Sequence, residues 1–231
     1  MFTKHTNDMK QAVKTKGSAR LFQNPILEAM TKSSALESTI TSVGIAVVCI
    51  WIGVKLDDSA TTSKIATWFF IGLASWSLFE YILHRYLFHL SERAFKGAER
   101  LTYVLHGVHH EYPNDAQRTL MPFAPKLIFS TIFFGIFYLI FQSKGPFFSA
   151  GFLMGYYVYS MMHYSIHRFK APKMLKGLWT HHHLHHHLHD DKAFGVSSVL
   201  WDKIFNTMPP KYEKQPKVAE TRKNEVEQAA H

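Results

Sequence analysis

Apolar residues gather into four runs, Ile40–Leu56, Ile65–Leu83, Leu127–Phe141 and Phe147–Met162. Each is apolar around the whole helix circumference rather than along one stripe, which is the pattern of a helix in lipid or in a deep core. The runs hold 15–19 residues, slightly fewer than the roughly 20 that cross a bilayer core. Ala35–Thr39 and Leu120–Lys126 are compatible with helix and lengthen them. The pattern therefore predicts an all-α integral membrane protein with four transmembrane helices. Asp57–Lys64 and Gln142–Pro146 are too short for anything but tight turns, so the helices pair into two hairpins. Residues 1–35 form a polar, basic N-terminal segment, 36–209 the membrane domain, and 210–231 a charged tail expected to be frayed or disordered.

Two hairpins place the N-terminus, the 84–126 segment and the C-terminal region on one side of the bilayer. That side holds 23 of the 26 Lys and Arg residues. The positive-inside bias assigns it to the cytoplasm, in a bacterial inner membrane or the endoplasmic reticulum depending on the host. Topology and anionic headgroups thus account for the net charge of +9, and no nucleic-acid partner is called for. Cys49 is the one cysteine, so an internal disulfide is excluded. Trp51, Trp68 and Trp76 read as membrane-interface anchors, and Arg118 and Lys126 as candidates to meet a lipid headgroup or carboxylate. Phe129, Phe133, Phe134, Tyr156, Tyr157 and Tyr159 read as lipid contact or packing.

Histidine changes the picture: there are 16, and most fall into four spaced groups beside the cytoplasmic ends of the runs. These are His84 and His89; His106, His109 and His110; His163 and His167; and a cluster from His181 to His189. Residues three and four apart share a helix face, so His106, His109 and His110 are able to converge on one point, as are His163 with His167. In the last cluster two registers, His182/His185/His186 and His183/His186/His187, fit the same spacing. His84 and His89 stand about 140° apart on a regular helix. Either they serve two metals or the helix ends between them. Ten imidazoles exceed one coordination sphere, so two ions with four or five each is the natural partition. All-nitrogen ligation suits iron, zinc or copper. A non-catalytic metal transporter is the rival reading, disfavoured because no histidine lies within a run.

The series HX4H, HX2HH, HX3H, HX2HH resembles the integral-membrane fatty acid hydroxylase and sterol desaturase superfamily over about Trp76 to Pro209. Phe79–His89, His106–Asp115 and Phe194–Thr207 are similar to the fatty acid 2-hydroxylases within it. Sterol or carotenoid oxidases and desaturases are the alternative within that superfamily. The resemblance implies a cytoplasmic helical cap carrying a dimetal site and places the last box at His182, His185 and His186. The implied ligands are then His84, His89, His106, His109, His110, His163, His167, His182, His185 and His186. His181, His183, His187 and His189 are left as neighbours.

The implied activity is O2-dependent hydroxylation at C2 of an acyl chain, free or in a sphingolipid. Two metal ions would serve it, iron in the active form and zinc possible in purified protein, because zinc has no redox chemistry. The residues ahead of the first run are too few for a cytochrome-b5-type domain. Electrons are therefore expected from a separate cytochrome b5-like or ferredoxin-like protein. Ser160, where the family frequently has Asp, and Pro122-Phe123, where it usually has Pro-Pro, are departures. Glu80, one turn before His84, is the candidate to accept the other ring N–H of that histidine.

Overall fold

The structure, a computed structural model, describes residues 13–14, 16–90 and 95–210; the tail from 211 on lies outside them. Its elements are all helical, with no strand among the described residues. They are α1 (Pro25–Ala29), α2 (Ala35–Leu56), α3 (Thr62–Ile82), α4 (Ala98–Thr102), α5 (Val108–Glu111), α6 (Phe123–Phe141), α7 (Gly145–Arg168), α8 (Lys176–His187) and α9 (Leu200–Ile204). Three segments are long and apolar enough to cross a membrane: Ala35–Leu56, Thr62–Phe88 and Phe123–Arg168. The third covers two of the predicted runs and is interrupted at Gln142–Lys144.

Local chemistry sets these boundaries. Ser34 Oγ accepts the Glu37 N–H to start α2, and Thr61 Oγ1 accepts the Lys64 N–H to start α3. Asp57 caps the C-terminal end of α2, ion-paired to Lys64 at 2.6 Å and touching Ser143 of the second turn. Gln142 takes a left-handed φ of 53°, and Pro146 follows at the start of α7. A positive φ and a proline stop one helix and pre-organise the next.

α7 is the central post: every residue from Gly145 to Leu153 is buried, and α2, α3 and α6 pack around it. Its approach to α3 is backbone to backbone. A Cβ on Gly151 would sit 1.8 Å from the Phe69 carbonyl oxygen, and one on Gly72 would sit 2.1 Å from that of Phe148. Trp76 fills the layer above, edge-on to Phe152 and Tyr156 with centroids 5.0 and 5.3 Å away. Trp76 is therefore a core residue and not an interface anchor. Trp51 does face outward, in a stripe with Ile40, Val43 and Val47. An apolar stripe of that length is stable against lipid and costly against water.

The two basic residues expected to meet lipid are satisfied within the fold. Arg118 is buried, pairing with Glu28 and Asp115 and donating to Thr31 Oγ1 at 2.8 Å. It thereby holds the N-terminal segment against the 112–118 loop. Lys126 is also buried and donates to Ser38 Oγ and Thr41 Oγ1 at 3.1 and 2.8 Å, with Glu37 at 3.7 Å.

The glycine contact between α3 and α7 yields a test. Gly151→Ala forces a methyl group into a backbone carbonyl, and overpacking of this kind costs about 3 kcal/mol. Gly135→Ala enters open space. In detergent the apparent melting temperature of the first variant is expected to fall by about 6–12 °C, with the second at or above the parent.

Candidate metal centre

Beyond Ile82 the helix does not end. It widens into a π-helical turn, Leu83–Phe88, and a second π-helical turn, Tyr103–Gly107, precedes α5. The i→i+5 bonding of a π turn brings residues five apart toward one face, a device frequent at functional sites. His84 and His89 consequently share one site. Of the two options the sequence left for this pair, the helix end is the one realised: the widened turn closes at Phe88, and His89 follows it with non-helical φ and ψ of -108° and 35°.

The ten predicted histidines assemble into two groups of five. His84, His89, His106, His110 and His185 form one, and His109, His163, His167, His182 and His186 form the other. Within each, the candidate ligand atoms lie within 4.8 Å of one another. The expectation that each HX2HH box converges on one point is corrected: His109 parts from His106 and His110, and His185 parts from His182 and His186. Adjacent residues on a helix face about 100° apart, so each box straddles the boundary between the groups. Across it, His110 and His186 lie ring over ring, centroids 4.2 Å apart. His183 and His187 stay out of both groups and stack on each other with centroids 6.1 Å apart.

The donor geometry fits metal ions. His84 Nε2 lies 3.1 Å from His106 Nε2, which lies 3.0 Å from His110 Nε2. His167 Nε2 lies 3.1 Å from His109 Nε2 and 2.9 Å from His182 Nε2. Two ligands at right angles, each about 2.1 Å from an ion, are about 3.0 Å apart. The tautomers agree: His84 Nδ1–H donates to the Phe194 carbonyl at 2.6 Å and His185 Nδ1–H to that of Lys192 at 2.7 Å. A neutral ring protonated at Nδ1 has its lone pair on Nε2, directed into the cluster. Nε2 of His163 and of His186 is buried with no hydrogen-bond partner among the described residues, as an inward-facing ligand atom would be.

Burial reinforces neutrality. It pushes His89 down to about 4, and burial with the neighbouring His89 pushes His185 down to about 3. Burial and nearby imidazoles hold His106, His109, His110, His182 and His186 well below the ordinary histidine value. The rings are thus kept in the form that binds a cation.

The expectation for Glu80 is also corrected. It is buried, but its Oε1 accepts the N–H groups of Val196 and Ser197 at 2.8 and 2.9 Å, and Oε2 accepts from Ser197 Oγ. It anchors the loop that carries the Phe194 carbonyl, so it acts on His84 at one remove. Sequence reasoning missed Asp202, which accepts the N–H groups of Phe194 and Gly195 at 2.9 and 2.8 Å and lies 2.9 Å from His181 Nε2. The available signal was a lone carboxylate in the apolar stretch Val199-Leu-Trp-Asp202.

An apolar cavity of about 220 Å³ reaches both groups through its lining rings: Phe88 stacks on His106 with centroids 5.0 Å apart, and Tyr159 on His163 at 5.9 Å. Leu83, Phe88 and Leu105 line it beside His84, His89 and His106, and Phe133, Phe152 and Ser149 line it further along the helices. Its wall on α7 runs from Ser149 to Tyr159, roughly 15 Å at the helical rise. Phe129, Phe134 and Tyr156 also line it, so these aromatics, expected to contact lipid or pack, form a cavity. Tyr157 does not line it and bonds Thr39 at 3.2 Å.

Glu80→Ala would orphan the Val196 and Ser197 N–H groups, each worth about 1–3 kcal/mol when buried. The variant is expected to melt lower in detergent and to be cleaved by protease near residues 194–198. Glu80→Gln retains an acceptor and loses less.

The sequence model of the fatty acid hydroxylase family matches residues 69–207. Dihydroceramide fatty acyl 2-hydroxylase FAH2 of Arabidopsis thaliana is 31% identical over 82% of this chain and 80% of its own length. Ceramide very long chain fatty acid hydroxylase scs7 of Schizosaccharomyces pombe is 35% identical over 88% of this chain and 58% of its own. Human fatty acid 2-hydroxylase is 33% identical over 83% and 57%. The solved structure of full-length scs7p, in which only the hydroxylase domain is visible, superposes with a TM-score of 0.76 at 30% identity, covering 87% of this chain and 76% of that one. The chain belongs to the fatty acid hydroxylase family.

Proposed function

We propose that this chain is a membrane-bound, O2-dependent fatty acid 2-hydroxylase whose ten histidines hold two metal ions, five to each. The observation that carries the reading is the pair of five-histidine groups at one end of an apolar cavity. Iron is the ion proposed for the active form. When bound, such a redox pair supplies the oxidising power that side chains lack and that an unactivated C–H bond demands.

The chain's own residues account for the rest. Leu83, Phe88 and Leu105 hold the head of an acyl chain against the histidines, and the phenylalanines beyond take its methylene tail. Binding there is driven by burial of apolar surface, which fixes the chain axially and brings the carbons nearest the polar end to the cluster. The same walls exclude water from the reacting carbon. Relatives named as dihydroceramide fatty acyl 2-hydroxylases support an amide-linked acyl chain as substrate.

The two hairpins α2–α3 and α6–α7 are proposed as four spans, with residues 36–209 as the membrane domain and the histidine side cytoplasmic. There a separate electron-donor protein reaches the cap. The distribution of Lys and Arg supports that orientation.

The test is expression in a host lacking such an enzyme, followed by hydrolysis of total lipid and mass spectrometry of 2-hydroxy fatty acids. New 2-hydroxy chains are expected, with at least a 100-fold loss in His109→Ala and His163→Ala, one ligand site being left incomplete in each. Oxidised sterol or carotenoid in place of 2-hydroxy chains, in a host supplying all three lipids, would sink the assignment.

A further inference from the structure

The ten rings are chemically alike, but what stands behind them is not. In the first group His84 and His185 each donate Nδ1–H to a backbone carbonyl, at 2.6 and 2.7 Å. In the second, Nδ1 of His109, His182 and His186 is buried and meets no partner among the described residues. A neutral ring that ligates through Nε2 keeps its proton on Nδ1. Where that proton reaches a carbonyl, the tautomer and ring plane are set before an ion arrives and the ligand is made more basic. Where it is buried and unpartnered, its desolvation goes uncompensated and the ring is less constrained.

Both carbonyls, of Lys192 and Phe194, belong to one loop, and its conformation is imposed from outside. Asp202 Oδ1 accepts the Phe194 N–H and the Thr207 hydroxyl, and Oδ2 accepts the Gly195 N–H and lies against His181. Asp202 is fully buried, and His181 sits on α8, the helix that carries His185. One carboxylate therefore registers the loop against the helix and aims the Phe194 carbonyl at His84.

Resting on the ten-histidine reading above, we infer that the two metal sites are unequal. The site of His84, His89, His106, His110 and His185 holds its ion the more tightly, and Asp202, acting through the 192–197 loop, is the positioning residue that makes it so. Asp202 touches α8, which carries His182 and His186 of the second group beside His185, but it hydrogen-bonds no histidine of either group, and the ring protons its loop receives come from the first group alone.

The experiment takes the full chain, purified in detergent with its metal bound, and challenges it with increasing EDTA. Metal retained per chain is counted by mass spectrometry. Two ions are expected to leave in two steps at least about tenfold apart in chelator concentration. His89→Ala should abolish the tightly held step and His182→Ala the loosely held one. Asp202→Asn should bring the tight step down about 10–100-fold and leave the other where it was; a merely structural role would move both. A single step in the parent protein, a reversed assignment between the two histidine variants, or an equal shift of both steps in Asp202→Asn overturns the inference and leaves the two-metal reading standing. Fewer than two ions in the metal-replete parent overturns both. Should Asp202→Asn fail to fold, the parent and histidine variants still decide whether the sites differ.

Discussion

The constraint on which this structure turns is the crowding of imidazole lone pairs. Nε2 atoms about 3 Å apart, in rings that burial keeps uncharged, repel one another unless something positive lies between them. A packed core does not produce that arrangement for its own benefit, because apolar residues of equal volume would fill the space without the desolvation cost. The cluster is therefore an electrostatic demand built into the fold, and its surroundings can be understood as the means of sustaining it.

Those means act at three distances. Nearest, the π-helical turn that closes at Phe88 brings His84 and His89 toward a common centre that a regular helix would deny them, and His106 and His110, four residues apart, present one face to it. Next, the 192–197 loop receives two ring protons on its carbonyls and is itself pinned by two buried carboxylates, Glu80 and Asp202. Furthest, the close contact of α3 and α7 at Gly72 and Gly151 holds the two helices that deliver His84 and His163 at a fixed spacing. Each layer would be of little use without the next, since imidazole direction depends on ring plane, ring plane on the loop, and the loop on helix position.

The apolar cavity explains why so polar a cluster lies at the end of membrane-length helices. Its walls are contributed by all four long helices, from Cys49 on α2 to Phe137 on α6. A chain of methylenes is stable there and nothing hydrophilic is, apart from what the few polar groups of the wall accommodate. Lys126 shows how strictly the interior is managed: a cation in that wall is held by two hydroxyls and faced by Glu37.

The sequence by itself determined the helical class and seven of the convergent histidines, and its resemblance to a known family supplied the other three, His182, His185 and His186. Hydropathy and residue type are properties of the chain that any fold of it must respect. It did not determine how those histidines divide, because spacing shows which residues share a helix face but not which face meets which neighbouring element. Nor could it disclose the partners of Glu80 and Asp202, or that Phe133 and Phe152 line a cavity. These follow from contacts between residues far apart in the chain, such as Glu80 with Ser197, and only the tertiary structure decides which distant backbone N–H a buried carboxylate will meet.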